Sequence, residues 1–361
     1  MNYFLLKQKG LFDTSQTPPR SQKVRRILTN PMFGFILFGV IMIVVGFLAK
    51  NKIVIPYSWG SALSLTLSYA IASVGFCLLM GYSGLASLGT GGFIGIGTYS
   101  AYYVMNAWGL PFILALALCV TVAIICGMIV GFISLRIEGI YLAILTLGLS
   151  EILRFVFQAV KDSISLSSFN LFGVIQISRT NAIYLVAVMF VIIMIITNNI
   201  INSPTGRAML AMKNSTAAAQ AMGISLMKYR LLAFVICTVY AALAGTLLMI
   251  SVGYAKATDA MGFYAMITSL NILAAVVIGG AKSIWGTLVG TFIMYGLQRT
   301  LLNQVQFFID NPVVITFISG ILVVLVVMFY PGGLAQLAKE LVGKIKKLIS
   351  KIKAAKYGKD V

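Results

Sequence analysis

The sequence predicts an all-α, polytopic membrane protein with about ten transmembrane helices and both termini in the cytoplasm. Three observations predict it. Of 361 residues, 60% are hydrophobic and 10% are charged, and the mean hydropathy is +0.99. A soluble domain carries about 25% charged residues, and a disordered chain needs low hydrophobicity, so both classes are excluded. Apolar segments near the ~20-residue length of a bilayer crossing recur along the whole chain. The 27 basic residues outnumber the 8 acidic ones, and they collect between and beyond the apolar segments. A basic excess on a soluble protein would suggest nucleic acid; on this background it is read against a bilayer.

The segments are residues 32–48, 58–80, 90–107, 110–135, 139–160, 182–198, 231–251, 263–280, 284–303 and 312–330. Pro31, Pro111 and Pro312 stand near the first turn of three of them, where a missing N–H costs nothing. Glycine interrupts 90–107 and 263–303. With the N-terminus inside, twenty basic residues fall in 1–31, 135–138, 199–230, 281–283 and 331–361. The outer loops hold only Lys50, Lys52, Lys161, Arg179 and Lys256. The positive-inside rule therefore selects an even number of spans with both ends in the cytoplasm. The sequence divides into a basic cytoplasmic segment, 1–31, a transmembrane domain, 32–330, and a tail, 331–361. Leu341, Ile345, Leu348, Ile349 and Ile352 recur at helical spacing among eight lysines of that tail. It reads as an amphipathic helix on anionic lipid, with a protein- or nucleic-acid-docking tail as the alternative.

Residues 1–30 contain six basic residues and no apolar stretch ending in a small-residue site, so no cleavable signal peptide is expected. Cys77, Cys119, Cys126 and Cys237 lie within apolar segments without CxxC spacing and read as packing residues. The sequence has no histidine, which excludes His-based zinc sites and triads. It has no G-x-x-x-x-G-K-[ST] phosphate loop. No catalytic constellation, cofactor site or metal site is expected on this chain.

Three features carry functional information. Residues 81–97 hold seven glycines, each costing about 1 kcal/mol relative to Ala in a helix interior. Irregular backbone at membrane depth is tolerated where it is buried in protein or lines a cavity. The stretch reads as a re-entrant or broken element beside a translocation path. Close helix packing through Gly91-xxx-Gly95, Gly127-xxx-Gly131 and Gly286-xxx-Gly290 is the structural alternative. Glu151 and Arg154 are three residues apart within a span and can pair on one helix face; path lining and a structural ion pair both fit. Arg299 lies near an interface and reads as snorkelling. The polar loop 199–230 is expected to hold a short helix after Pro204, capped by Ser203 or Thr205 and ended by Gly223. It is a natural docking element for a soluble partner, or a plain surface helix.

These residues resemble a known family: the permease subunits of ATP-binding-cassette (ABC) importers for branched-chain amino acids, of the LivM type. Gly81-Tyr82-Ser83-Gly84 through Gly95-Ile96-Gly97-Thr98-Tyr99 is similar to the family's GYxGxxSLGxxxFxGIGAY signature. Gly139-Ile140-Tyr141 with Thr146-Leu147 and Glu151-Ile152-Leu153-Arg154 resembles its RxxGIYFAxxTLxxxEILR segment. Ser203-Pro204-Thr205-Gly206-Arg207-Ala208, Ala218-Ala219 and Met222-Gly223-Ile224 resemble its SPxGRAxxAxxxxxxAAxxxGI loop. Gly279-Gly280 through Trp285-Gly286 and Gly290 resembles a further glycine motif.

The resemblance covers about 80–340 and implies an ABC importer permease architecture without its own ATPase site. By the same likeness, Gly81, Tyr82, Gly84, Ser87, Gly89, Thr90, Thr146, Glu151 and Arg154 would line the translocation path. Gly206, Arg207, Ala211, Ala218, Ala219 and Gly223 would form the element that docks on the ATPase. The implied partners are ATP-binding subunits carrying ATP and Mg, a second homologous permease, an extracytoplasmic solute-binding protein and the bilayer of a bacterial inner membrane; nucleic acid is not among them. Branched-chain amino acids are the first expected solute, with urea, amides or another small solute as alternatives. An ion-gradient-driven secondary transporter is the rival from another class, although Glu151 is the one carboxylate placed clearly within a span, and ion coupling generally needs such groups.

Overall fold

The computed structural model describes residues 31–50, 57–134, 139–166, 169–170, 176–177, 181–259, 262–300, 312–330, 332–338 and 340. The basic segment 1–31 apart from Pro31, the loop 135–138 and most of the lysine tail lie outside the described residues.

The described chain is predominantly helical. Its principal helices are α1 (Pro31–Lys50), α2 (Tyr57–Cys77), α3 (Thr90–Tyr102), α4 (Phe112–Ser134), α5 (Ile140–Lys161), α6 (Ala182–Asn202), α7 (Pro204–Asn214), α8 (Thr216–Ala221), α9 (Leu226–Val252), α10 (Met266–Gly279), α11 (Ile284–Thr291) and α12 (Pro312–Phe329). Pro31 and Pro312 open their helices, and Pro111 accepts the first-turn N–H groups of Leu114 and Ala115. π-helical turns extend α2 through Leu78–Ser83, α3 through Tyr103–Ala107 and α11 through Phe292–Leu297. Among the described residues, five helical stretches are long and apolar enough to cross a membrane: Trp59–Ser83, Phe112–Ile133, Tyr141–Lys161, Ala182–Asn202 and Leu226–Val252. Phe33–Ala49 and Met266–Gly279 are shorter apolar helices.

α9 is the hub. It packs on α2, α3 and α4, while α2 also meets α1, α6, α10 and α11, and α3 also meets α4, α5 and α10. Burial separates inner from outer helices: the apolar window of α2 is 94% buried and that of α9 72%, against 22% for α4 and 17% for α5. Ile125, Ile129 and Phe132 of α4 and Ile144, Ile152 and Phe155 of α5 face outward. In water such a surface would drive aggregation; in a bilayer it is matched by lipid tails, and contact between helices rests on close packing instead.

The glycines supply that packing. A Cβ on Gly97 of α3 would stand 1.8 Å from the Ala242 carbonyl oxygen of α9, and one on Gly290 would stand 2.0 Å from the Ala275 carbonyl oxygen of α10. The three small-xxx-small pairs expected from sequence all face neighbours: Gly91 and Gly95 meet Ala265 and Phe157, Gly127 and Gly131 meet Thr238 and Leu231, and Gly286 and Gly290 meet Gly279 and Ala275. Aromatic stacks tie α1 to α11, Phe35 on Trp285 at 4.8 Å, and α2 to the π turn after α11, Tyr69 on Tyr295 at 3.9 Å.

Two small antiparallel pairings complete the structure. β1 (Ser163–Ser165) pairs with β4 (Tyr254–Lys256) in the register Ile164 with Ala255, and β2 (Phe169–Asn170) pairs with β3 (Gln176–Ile177). β1 follows α5 and β4 follows α9, so the C-terminal ends of those two helices lie at the same end of the molecule.

Candidate functional site

The glycine-rich stretch is a broken helix. The π turn Leu78–Ser83 ends at Gly84 with φ +76, a left-handed conformation that glycine adopts without the Cβ penalty. Residues 84–89 are irregular, and α3 starts at Thr90 with all thirteen of its residues buried.

A helix that begins inside a protein must find partners for its first N–H groups. Side chains from two other helices supply them. Gly92 donates to Ser150 Oγ of α5 at 2.8 Å, and Gly91 donates to Ser269 Oγ of α10 at 2.8 Å. Just upstream, Leu88 donates to Thr146 Oγ1 at 2.9 Å and Gly89 donates to Ser87 Oγ at 3.3 Å. Thr90 Oγ1 is buried without a protein hydrogen-bond partner. The result is a helix N-terminus, carrying positive partial charge, ringed by neutral hydroxyls. The N–H groups of Gly91 and Gly92 are satisfied by those two serines.

Of the nine path residues expected from sequence, the structure brings Ser87, Gly89, Thr90 and Thr146 together here. A Cβ on Gly89 would stand 3.1 Å from the Thr146 carbonyl oxygen. Gly81, Tyr82 and Gly84 lie one segment earlier, in the π turn and its cap; Gly81 is buried against the Ala281 carbonyl, Tyr82 is half-buried and Gly84 is exposed. Glu151 and Arg154 stand apart from this ring. Arg154 Nε pairs with Glu151 Oε2 at 2.8 Å and Arg154 Nη1 donates to the Ala257 carbonyl at 3.3 Å, beyond β4. The pairing that their spacing allows is present.

Sequence reasoning missed Ser150 and Ser269. Ser150 had a signal, since it lies four residues after Thr146 on the same helix face. Ser269 stands beside Thr268 in a largely apolar stretch, and only the tertiary contact distinguishes it.

The expected single helix of the polar loop is a pair, α7 and α8. Ser203 caps α7 by accepting from Gly206 N at 3.4 Å, with Pro204 at its start. Ser215 is extended, with φ −157, and caps α8 by accepting from Ala218 N at 3.2 Å. A serine side chain at that point offers the backbone an alternative to continuing the helix, and so breaks it. Gly223, with φ +78, donates to the Gln220 carbonyl at 2.9 Å and ends the unit as expected. Arg207, Ala218 and Gly223 are exposed, Ala211 is half-buried, and Gly206 and Ala219 are buried. Met209 and Met212 are 1% and 2% exposed, so α7 is anchored by one face and open on the other.

The family described as "Branched-chain amino acid transport system / permease component" matches residues 59–327. The high-affinity branched-chain amino acid transport system permease protein LivM of Salmonella typhimurium is 27% identical over 365 residues, covering 89% of this chain and 82% of that protein. The LivM permease of Escherichia coli is 29% identical over 307 residues, covering 76% of this chain and 69% of its own. No solved structure matches the chain significantly. The matched region runs from the start of α2 into α12 and takes in both the broken helix and the α7–α8 pair, and the chain belongs to the family of branched-chain amino acid transport permeases.

Proposed function

We propose that this chain is the transmembrane permease subunit of an ABC importer that moves a small polar solute, first of all branched-chain amino acids, into the bacterial cytoplasm. In this reading ATP and Mg bind to separate ATPase subunits. A second homologous permease completes the transmembrane unit, and an extracytoplasmic binding protein delivers the solute. The observation that carries the reading is the union, within one family-matched region, of a hydroxyl-lined helix break and an anchored helix pair with one open face. With about ten spans in 32–330, as the apolar segments suggest, the positive-inside count assigns 199–230 and both ends to the cytoplasm.

ATP-driven closure of the ATPase dimer would move α7–α8 and shift the spans around the path. Gly206, Arg207, Ala211, Ala218, Ala219 and Gly223 form the docking unit; Arg207, Ala218 and Gly223 are its exposed contacts, and Gly206 and Ala219 hold its shape. Ser87, Gly89, Thr90 and Thr146, with the preceding Gly81, Tyr82 and Gly84, form the path element. A zwitterionic amino acid suits a site of uncharged hydroxyls at a positive helix end. Glu151 and Arg154 already neutralise one another, which leaves the rival ion-coupled transporter without a free carboxylate in that span.

The test is purification of the complex under mild solubilisation, followed by uptake in proteoliposomes. Copurification of an ATPase and uptake that needs ATP are expected. Uptake that proceeds without ATP and collapses with an uncoupler would establish the ion-coupled rival.

A further inference from the structure

We infer that Lys213 is the positioning residue that transmits movement of the α7–α8 pair to the glycine-rich break. This rests on the docking reading above and adds a residue outside the expected docking set.

Lys213 stands in the last turn of α7. Its ammonium donates to the Met80 carbonyl at 2.9 Å and to the Gly81 carbonyl at 2.9 Å. Both carbonyls belong to the π turn that ends the α2 helix. The last carbonyls of a helix have no partner within it, and a cation there also meets the negative end of the dipole. Lys213 thus caps one helix from the end of another, more than 130 residues away in sequence. The stem of Lys213 lies along the break itself: a Cβ on Gly84 would stand 3.3 Å from Lys213 Cγ.

The π turn is backed on one side by the Ala281 carbonyl. Gly81 abuts the Ala281 carbonyl, where a Cβ would approach to 1.8 Å, and Cys77 Sγ donates to that same oxygen at 3.1 Å. A displacement of α7 is therefore passed to Met80 and Gly81 and from there into residues 84–89, at whose far end α3 and Thr90 begin. Burial holds the Lys213 pKa below the ordinary lysine value, and Lys282 across the shared cavity of about 370 Å³ lowers it further. The ammonium is kept in this unfavourable setting by its two carbonyl partners. Met209 and Met212 supply only apolar contact from the same helix, which fixes distance without fixing direction. Hydrogen bonds from a cation to two adjacent carbonyls fix both.

The experiment compares Lys213→Met and Lys213→Arg in the full complex, with uptake and ATP hydrolysis measured per assembled complex. Lys213→Met keeps the stem and removes the ammonium. It should lower the solute moved per ATP hydrolysed at least fivefold, and Lys213→Arg, which keeps charge and donors, should recover at least half of the wild-type ratio. If Lys213→Met does not assemble, Lys213→Gln replaces it, with the same fall expected. A ratio within twofold of wild type in the neutral variant overturns the proposal, as does failure of Lys213→Arg to recover it. Absence of any ATPase in the wild-type preparation would instead remove the docking reading on which the proposal stands.

Discussion

Thr246 of α9 donates its hydroxyl to the carbonyl of Gly97 on α3 at 3.2 Å. The bond is answered from the other side, where Thr98 donates to the Gly245 carbonyl at 3.2 Å. Between them the two backbones touch: a Cβ on Gly97 would come within 1.8 Å of the Ala242 oxygen, and one on Gly245 within 1.9 Å of the Ile94 oxygen. Gly97→Ala and Gly245→Ala are each expected to destabilise the protein by at least the ~1–3 kcal/mol typical of overpacking. The thermal midpoint of the detergent-solubilised protein measures this, and an unchanged midpoint in either variant would refute backbone contact at that position.

Thr90 separates stability from transport. Its buried hydroxyl has no protein partner, and such a group costs about 1–3 kcal/mol. Thr90→Val should leave the thermal midpoint unchanged or raise it, while uptake falls about tenfold if the hydroxyl meets solute. Normal uptake would take Thr90 off the path.

Gly223 holds φ +78 and uses its N–H in a bond to the Gln220 carbonyl. Gly223→Pro loses both, and Arg207→Glu reverses an exposed charge on α7. Both variants should insert normally yet transport at a tenth of the wild-type rate or less. Wild-type uptake in the two together would remove the docking assignment.

The Glu151–Arg154 pair predicts an order of damage. Arg154→Glu places two carboxylates together and should lower the thermal midpoint most. Exchanging the two residues restores opposite charges but not the bond to the Ala257 carbonyl, so it should recover only part, on the order of 1 kcal/mol. Equal losses in the reversal and the exchange would argue against pairing.

Asp162, just beyond α5, gives a pH dependence. The Thr258 hydroxyl holds its carboxyl below the usual range, assisted by the Thr258 N–H at 2.9 Å and by Lys256. A depressed carboxyl contributes stability above its unfolded pKa of about 3.9, lost as pH falls through the lower folded value. Thermal midpoints recorded from pH 6 to pH 3 should therefore fall less steeply below about pH 4 in Asp162→Asn than in wild type. Parallel curves would show that Asp162 has no such role.

Much of this was legible in the sequence because period and composition report on local structure. The apolar runs, the prolines at Pro31, Pro111 and Pro312, the cap at Ser203 and the stop at Gly223 each have a local cause. The glycine stretch announced a break for the same reason. Legibility ended where a contact crosses the fold. That Ser150 and Ser269 would serve the first N–H groups of α3 depends on where α5 and α10 come to lie. The break at Ser215 competes against an alanine-rich stretch that favours helix, and a local bond to Ala218 N decides it. Lys213 appeared only as one basic residue among four in 199–230, because nothing in its neighbourhood in the chain indicates two carbonyls in another helix.

The complete enclosure of α3 also sets a timetable for making the protein. Thr98 meets Gly245 only after 147 further residues have been synthesised, and Gly91 meets Ser269 only after 178. At ribosomal speeds of about 5–20 residues per second, the first of these contacts comes about 7–30 s after Thr98 is made. Over that interval α4 and α5 are the nascent neighbours at hand, both of which show most of their surface outward in the finished molecule. α3 is thus made early and enclosed late, and the glycine-rich segment waits for its partners while the ribosome is still reading the chain.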